Sequence, residues 1–416
     1  MLSIYALFVR IYFLGIRLFS LFNTKAKLFV EGRKNWENEL RKIFPVDKKV
    51  IWFHCASLGE FEQGRPVMEK FKAKNPEYFL LLTFFSPSGY LVKKDYSGAD
   101  AVFYLPTDSF RNAKKFLGIV SPEIVVFVKY EFWFCFISAI INKKIPLIFV
   151  SCIFRPTHFL FKWFGKWATN YLKKCRRIFV QDSSSLNNLK KLNFTNIEIA
   201  KDTRFDRVFE NSKNIDLPTL IIEWAQTKKV FVFGSTWRED EIAIKNLIKN
   251  LQKTLQSVGF IIVPHETNQL NINFTKKLFK DFKLKLFSEN SFTGADIILV
   301  DKIGLLSKLY SISNISYVGG GFGRGIHNLL EPAVFGVPVV FGENNAKFEE
   351  AQNLKALKAG FEISDSESLI NTYNFLLANE SEYNAAGENA KNYIIENTGG
   401  SQQILKYLNN QLNKPL

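Results

Sequence analysis

The run Gly319-Gly320-Gly321-Phe322-Gly323-Arg324-Gly325-Ile326-His327-Asn328-Leu329-Leu330-Glu331-Pro332-Ala333 follows a β-rich segment, Asn314 to Val318, and precedes another, Val337 to Phe341. Glycines expose backbone N–H groups, and the start of a helix, which this spacing puts near His327, attracts phosphate. Glu331 is placed to accept hydrogen bonds from a ribose diol. A glycine run by itself is weak evidence and reads equally as a structural turn. One that lies between two strands and ends in an acid favours a nucleotide site.

The same alternation of short apolar runs with helix-like stretches extends outward in both directions. Toward the N-terminus, strands are predicted at Val50 to His54, Tyr78 to Phe84, Ala101 to Leu105, Glu123 to Val128, Ile145 to Ser151 and Arg177 to Val180. Helices are expected over Phe61 to Lys74 and from Ser86-Pro87-Ser88-Gly89. After a polar stretch, Glu210 to Asn214, and Asp216-Leu217-Pro218, strands restart at Val230 to Phe233, Gly259 to Val263 and Asp296 to Val300. Continuous apolar runs of this kind suit parallel sheets covered on both faces. At 416 residues the chain is too long for one core. The expectation is an α/β protein of two Rossmann-like, doubly wound domains. Residues 23–212 and 213–416 form them, with ligands at the carboxyl ends of strands in the cleft between.

Two acids in the first half stand where strand ends deliver functional groups. Glu60 closes His54-Cys55-Ala56-Ser57-Leu58-Gly59-Glu60, directly after the first strand, where a carboxylate can accept a proton from a substrate hydroxyl. An acid in a helix's first turn is also favoured by the helix dipole alone. Glu131, in Val128-Lys129-Tyr130-Glu131-Phe132-Trp133, is the only acid between Glu123 and Asp182; its alternative is a local pairing with Lys129. In the second half, Gly234-Ser235-Thr236, Pro264-His265-Glu266 and Asp301-Lys302-Ile303-Gly304-Leu305 end strands and are expected to line one nucleotide-sized site with the glycine run. His residues are scattered at 54, 158, 265 and 327, with no HxxxH or HExxH, so no metal site is expected. Neither a Ser-His-Asp set nor GxSxG is present.

Hydrophobic residues make up 47% and charged residues 23%, a globular balance, while the formal charge of +16 calls for an anionic partner: nucleic acid, membrane or phosphorylated substrate. Leu2 to Phe22 is apolar apart from Arg10, Arg17, Ser3 and Ser20, and Lys25 and Lys27 follow. Residues 1–22 therefore read as a membrane-associated anchor helix. The two arginines favour lying in the interface over crossing it, and a buried helix of the first domain is the alternative. Arg155 to Gln181 carries Arg155, Lys162, Lys166, Lys173, Lys174, Arg176 and Arg177 and no acid, interleaved with Phe159, Phe161, Trp163, Phe164, Trp167 and Tyr171. Helical spacing suggests an amphipathic interfacial segment; base stacking, or a solvated basic helix with a core face, is the other reading. Cys55, Cys135, Cys152 and Cys175 are widely spaced and read as reduced thiols.

Taken together these residues resemble the 3-deoxy-D-manno-oct-2-ulosonic acid (Kdo) transferase family over nearly the whole chain. The resemblance rests on the apolar N-terminus, Gly32-Arg33, Ala56-Ser57-Leu58-Gly59-Glu60 and Thr83 with Ser86-Pro87-Ser88-Gly89. Tyr104-Leu105-Pro106, Glu131-Phe132-Trp133 and His327-Asn328-Leu329-Leu330-Glu331-Pro332-Ala333 complete it. It implies a GT-B fold and inverting transfer without metal or cofactor. The donor would be CMP-Kdo and the acceptor a lipid A precursor, at the cytoplasmic side of the inner membrane of Gram-negative bacteria. It also implies that Glu60 is the proton acceptor, with Glu131 and Arg204 stabilising the transition state. CMP would be held by Pro264, His265, Ile303, Gly304, Leu305, Asn328, Leu329, Leu330 and Glu331, with Gly234, Ser235 and Gly320 shaping the site. The chain departs from the family where Pro264-His265-Glu266 replaces Pro-Arg-His, Arg204 replaces a lysine, and Gly325-Ile326-His327 replaces Gly-Gly-His. Competing expectations are a GT-B enzyme for another nucleotide sugar and a basic nucleic-acid-binding protein; nucleic acid is not the expected partner.

Overall fold

The computed structural model describes residues 1–44 and 47–412. Charge-free runs such as Val50-Ile51-Trp52-Phe53 and Val230-Phe231-Val232-Phe233 need cover on both faces, and they are found in the middle of two all-parallel seven-stranded sheets. The first sheet comprises β1 (Val50–Cys55), β2 (Phe79–Phe84), β3 (Ala101–Tyr104), β4 (Ile124–Val128), β5 (Leu147–Cys152), β6 (Arg177–Val180) and β7 (Ile197–Ile199). Its order is β3-β2-β1-β4-β5-β6-β7, with Phe53 in register with Leu82 on one side and Val126 on the other. The second comprises β8 (Lys229–Thr236), β9 (Val258–Pro264), β10 (Leu284–Leu286), β11 (Ile297–Leu299), β12 (Ile315–Val318), β13 (Val339–Gly342) and β14 (Gly360–Ile363). Its order is β10-β11-β9-β8-β12-β13-β14. In each sheet the strand order reverses next to the first strand, between β1 and β4 and between β8 and β12. That reversal opens a crevice at the carboxyl ends.

The chain divides into two compact units, Met1–Asp206 together with the chain from Thr398 onward, and Arg207–Asn397. The division thus falls before the polar stretch expected to mark it, because the helix Thr203–Asn211 runs through Glu210 and Asn211. The terminal helix Gly400–Leu412 belongs to the first unit, not to the second as chain order suggested. Asp206 accepts the amides of Gly399 (2.8 Å) and Ser401 (2.9 Å) at its start, and Ile404, Leu405 and Leu408 are buried with Phe61, Phe71 and Leu80. Burial on that scale stabilises by roughly 1.5–3 kcal/mol per large apolar side chain. Strands β7, β10 and β14 escaped the sequence reading, being edge strands of three or four residues interrupted by Glu198, Lys285, Gly360 and Glu362. All four cysteines are buried and free.

The N-terminal helix Leu2–Phe19 is long and apolar enough to cross a membrane. Leu2, Tyr5, Ala6, Val9, Phe13 and Ile16 are half-buried at helical spacing, whereas Ile4, Leu7, Phe8, Ile11, Leu14 and Leu18 are exposed. One stripe therefore lies on the first unit. The basic aromatic segment is not one helix. It forms short turns at Phe159–Phe161 and Trp163–Gly165, a helix Lys166–Leu172, and then β6. Phe159, Phe161, Trp167 and Tyr171 pack on the core; Phe164 is exposed and Trp163 stands 90% exposed.

Candidate active site

In the first unit the crevice between β1 and β4 is closed by an ion pair. After β1 the chain turns at Ala56-Ser57 and enters the helix Leu58–Lys74, so Glu60 lies in its first turn. Gly59 faces open space, since a Cβ added there would meet only Ser57 Oγ, at 3.8 Å. Its lack of a side chain keeps the helix start uncovered. Glu60 Oε1 lies 3.3 Å from Lys129 Nζ, while Oε2 accepts from the Ser57 hydroxyl. Lys129, at the end of β4, adopts φ 62, the left-handed conformation that ends the strand. Burial pushes the Glu60 carboxyl up. The Ser57 hydroxyl, the Lys129 charge and the residue's own amide outweigh it and hold the group below the ordinary carboxylate range. Glu60 is therefore an ionised acceptor, 17% exposed.

The local pairing of Glu131 with Lys129 does not occur. Glu131 Oε2 instead accepts from Trp133 Nε1 (2.8 Å) and lies 3.6 Å from His54 Nε2. The indole N–H is shared with His54 Nε2 (3.2 Å), so that nitrogen is an acceptor and Nδ1–H donates to the Thr83 carbonyl (3.1 Å). Trp52 Nε1 fixes the Thr83 hydroxyl (2.7 Å) from below. Arg204 is engaged with Asp202 through Nε (2.8 Å) and its own amide (2.9 Å). The next residue back, Thr203, bonds the Gln63 carbonyl, tying this turn to the helix that carries Glu60.

In the second unit the crevice between β8 and β12 is packed rather than charged. The glycine run spends its amides internally: Gly319 N–H goes to Gly234 O (2.9 Å), Gly325 N–H to Gly320 O (2.9 Å) and His327 N–H to Gly319 O (3.3 Å). Gly320 N–H goes to Asp240 Oδ2 (2.9 Å). The expectation that this run offers its amides to phosphate thus fails for these positions. What the glycines supply is close approach. Gly320 has φ +94, and a Cβ there would collide with Gly325 O. Asp240 also binds the Trp237 amide (2.8 Å) and the Tyr317 hydroxyl (2.6 Å). Burial raises its carboxyl, with these donors pulling the other way. Three acids opening the helix Arg238–Thr254 were the signal that would have singled Asp240 out.

Pro264 ends β9, and His265 stacks on His327 (4.2 Å between centroids) and on Trp237 (4.7 Å). Trp237 Nε1 donates to His327 Nε2 (3.1 Å), and Arg324 covers the Trp237 ring at 4.2 Å. Burial lowers both imidazoles, reinforced at His327 by His265, which brings His327 down to about 4. His265 therefore makes no cationic replacement for a missing arginine at neutral pH. Arg324, overlooked as a separate candidate in the sequence, is the guanidinium beside it and lines a pocket of 280 Å³ with Thr236, Pro264 and Arg238. A second pocket, of 240 Å³, is lined by Glu331 with Ser307, Lys308 and Asn211. Burial raises the Glu331 carboxyl, opposed by Asn328 Nδ2 (3.1 Å) and the charge of Arg207. The short helix starts at Leu330 rather than near His327, and the Leu329 and Leu330 side chains are fully buried in the core. Gly234 is required by packing, since a Cβ there would collide with the Tyr310 hydroxyl, and Ser235 bulges from β8 with φ 53. Ile303 is 91% exposed, and Gly304 and Leu305 continue this outlying loop after β11. Among the described residues, no three His, Cys, Asp or Glu side chains converge as a metal site requires.

Residues 32–207 match the family model described as 3-Deoxy-D-manno-octulosonic-acid transferase (kdotransferase). A 3-deoxy-D-manno-octulosonic acid transferase of Aquifex aeolicus is 31% identical over 351 residues, 82% of this chain and 90% of that protein. The same enzyme of Rickettsia conorii is 26% identical over 381 residues, 87% and 78% of the two chains. In structure, the chain is similar to UDP-GlcNAc 2-epimerase from Neisseria meningitidis bound to UDP-GlcNAc. The TM-score is 0.62 at 16% identity, over 86% of this chain and 99% of that one, a likeness of fold.

Proposed function

The chain belongs to the 3-deoxy-D-manno-octulosonic acid transferase family and is a glycosyltransferase, and on that premise we propose that it moves Kdo from CMP-Kdo to a lipid A precursor with inversion, using neither metal nor cofactor. The observation that carries the reading is the Glu60 carboxylate, ionised beside Lys129 at the crevice of the first unit. As the acceptor sugar's hydroxyl oxygen bonds to the anomeric carbon of Kdo, its proton passes to Glu60. The bond from that carbon to the phosphate oxygen breaks, and CMP leaves with the electron pair. A carboxylate held at low proton affinity suits this timing, because the hydroxyl becomes strongly acidic only as the new bond forms. Glu131, fixed by Trp133 and His54, and the Arg204 guanidinium stabilise the charge that develops.

In this reading the first unit takes the acceptor and the second takes CMP. Pro264, His265, Gly234, Ser235 and Gly320 frame the donor site, Ile303, Gly304 and Leu305 flank it, and Asn328, Leu329 and Leu330 lead to Glu331, which receives the ribose. The N-terminal helix rests in the anionic cytoplasmic surface of an inner membrane. Support comes from its docked stripe, its exposed Ile4, Leu7, Phe8 and Leu18, and the cations Arg10 and Arg17. Nucleic-acid stacking by the basic segment is disfavoured, since Phe159, Phe161, Trp167 and Tyr171 pack on the core and Phe179 lies within it.

Incubation with CMP-Kdo and tetraacylated lipid A precursor, read by product mass, tests the reaction. A mass gain of whole Kdo units is expected. No gain, or heat protection by UDP with none by CMP, overturns the donor assignment.

A further inference from the structure

The segment from Lys129 to Trp133 carries two charged groups of the site yet has little structure of its own. Its Phe132 and Trp133 amides bond to carbonyls two residues back (2.8 and 3.0 Å), and it belongs to no helix or strand. Such a segment takes its position from what it leans on. At one end it leans on Tyr5 of the N-terminal helix. The Tyr5 hydroxyl donates to Asp108 Oδ2 (2.7 Å), lies 3.3 Å from the Phe132 carbonyl and receives the Phe134 amide at 3.4 Å. Its ring meets Phe134 edge-on at 5.4 Å. Buried Asp108 also accepts the amides of Cys135 (3.2 Å) and Phe136 (3.0 Å), which open the helix following the segment.

On its other side, the segment leans on a stack that also begins in the N-terminal helix. Phe13 packs on Phe29 (5.9 Å) and Phe85 (6.2 Å), and Phe85 stacks on Trp133 at 4.4 Å. The Trp133 indole in turn holds Glu131. Buried Arg33 fastens this layer through the carbonyls of Phe29 (3.0 Å), Phe85 (2.6 Å) and Leu105 (2.8 Å). An anchor needs only an apolar surface; it needs neither a hydroxyl directed at a buried carboxylate nor a ring stack ending on Glu131's partner.

We propose that the N-terminal helix is a positioning element for the Lys129 to Trp133 segment, with Tyr5 and Phe13 as positioning residues, so that seating of this helix at a lipid surface and the geometry of Glu131 are one event. The inference rests on the role given to Glu131 under Proposed function. Its test uses the full chain, with the lipid acceptor dispersed in detergent micelles so that recruitment to vesicles limits nothing. Tyr5→Phe removes one oxygen from a half-buried position. It is expected to keep vesicle sedimentation, the CMP-induced thermal shift and the acceptor KM, while kcat falls roughly five- to tenfold, the scale of one lost hydrogen bond. The indole ¹⁵N–¹H resonance of Trp133, assigned with Trp133→Phe, is expected to move in Tyr5→Phe and in Phe13→Ala. Unchanged kcat in both helix variants, alongside a loss in Glu131→Gln, overturns the proposal. Normal turnover by Glu131→Gln while the Trp133 resonance still moves upholds the seating and removes Glu131 from the chemistry instead.

Discussion

The crevice between β1 and β4 and the crevice between β8 and β12 occupy the same place in two sheets of the same kind, and their electrostatics are opposite. In the first, a carboxylate is kept ionised by a lysine and a hydroxyl at a sparsely covered helix start. In the second, backbone approaches backbone at Gly320, the acid that meets this loop, Asp240, is occupied by three donors, and both imidazoles are held neutral. Topology supplies the location in both cases and the side chains supply the chemistry. One crevice holds a charged pair; in the other, backbone packs on backbone.

The sharpest way to break this contrast is Glu60→Gln, which keeps the size of the side chain and removes its basicity. Transfer is expected to fall by about 10²–10⁴-fold, the usual contribution of a general base, with the CMP-induced thermal shift retained. Near-normal turnover would mean that the charged crevice is not where the proton goes. Next comes Gly320→Ala, which forces a left-handed conformation and a Cβ against Gly325 O. A loss of about 1–3 kcal/mol in stability is expected, together with weakened CMP binding in calorimetry. If both are unchanged, the close packing of this loop is incidental.

The smallest effect concerns the neutral imidazoles. His327 has its folded pKa depressed to about 4 against an ordinary 6.5, so between these values the unfolded chain binds the proton and the folded one does not. Stability should therefore rise with pH from about 4 to 6.5. His327→Gln, which keeps an acceptor for Trp237 Nε1, should flatten that part of a thermal-midpoint profile. An identical slope in the variant would assign it to other groups.

Much of the molecule was legible because it is written locally. Apolar runs without charge predicted the inner strands, and small residues followed by an acid after β1 pointed to Glu60. Glycines between two strands marked the loop after β12. Of the edge strands, β3 was legible but β7, β10 and β14 were not, since three residues such as Ile197-Glu198-Ile199 carry no period. The basic aromatic segment misled because its spacing is shared by a surface helix and by rings that fold back onto a core. Asp240 sat among three acids at a helix start, whereas only the approach of Arg324 to Trp237 distinguishes it from other cations.

The sequence by itself determined two doubly wound α/β units, an apolar first helix, and which acids stand at strand ends, because hydrophobic period and turn chemistry act over a few residues. The tertiary structure alone decided that Lys129 pairs with Glu60, that Glu131 is held by Trp133 and His54, and that Tyr5 reaches Asp108. It also decided that the last helix returns to the first unit under Asp206. Apart from the short reach from Trp133 to Glu131, each of these joins residues far apart in the chain, and such partnerships follow from how the packed elements meet rather than from any pattern along the sequence.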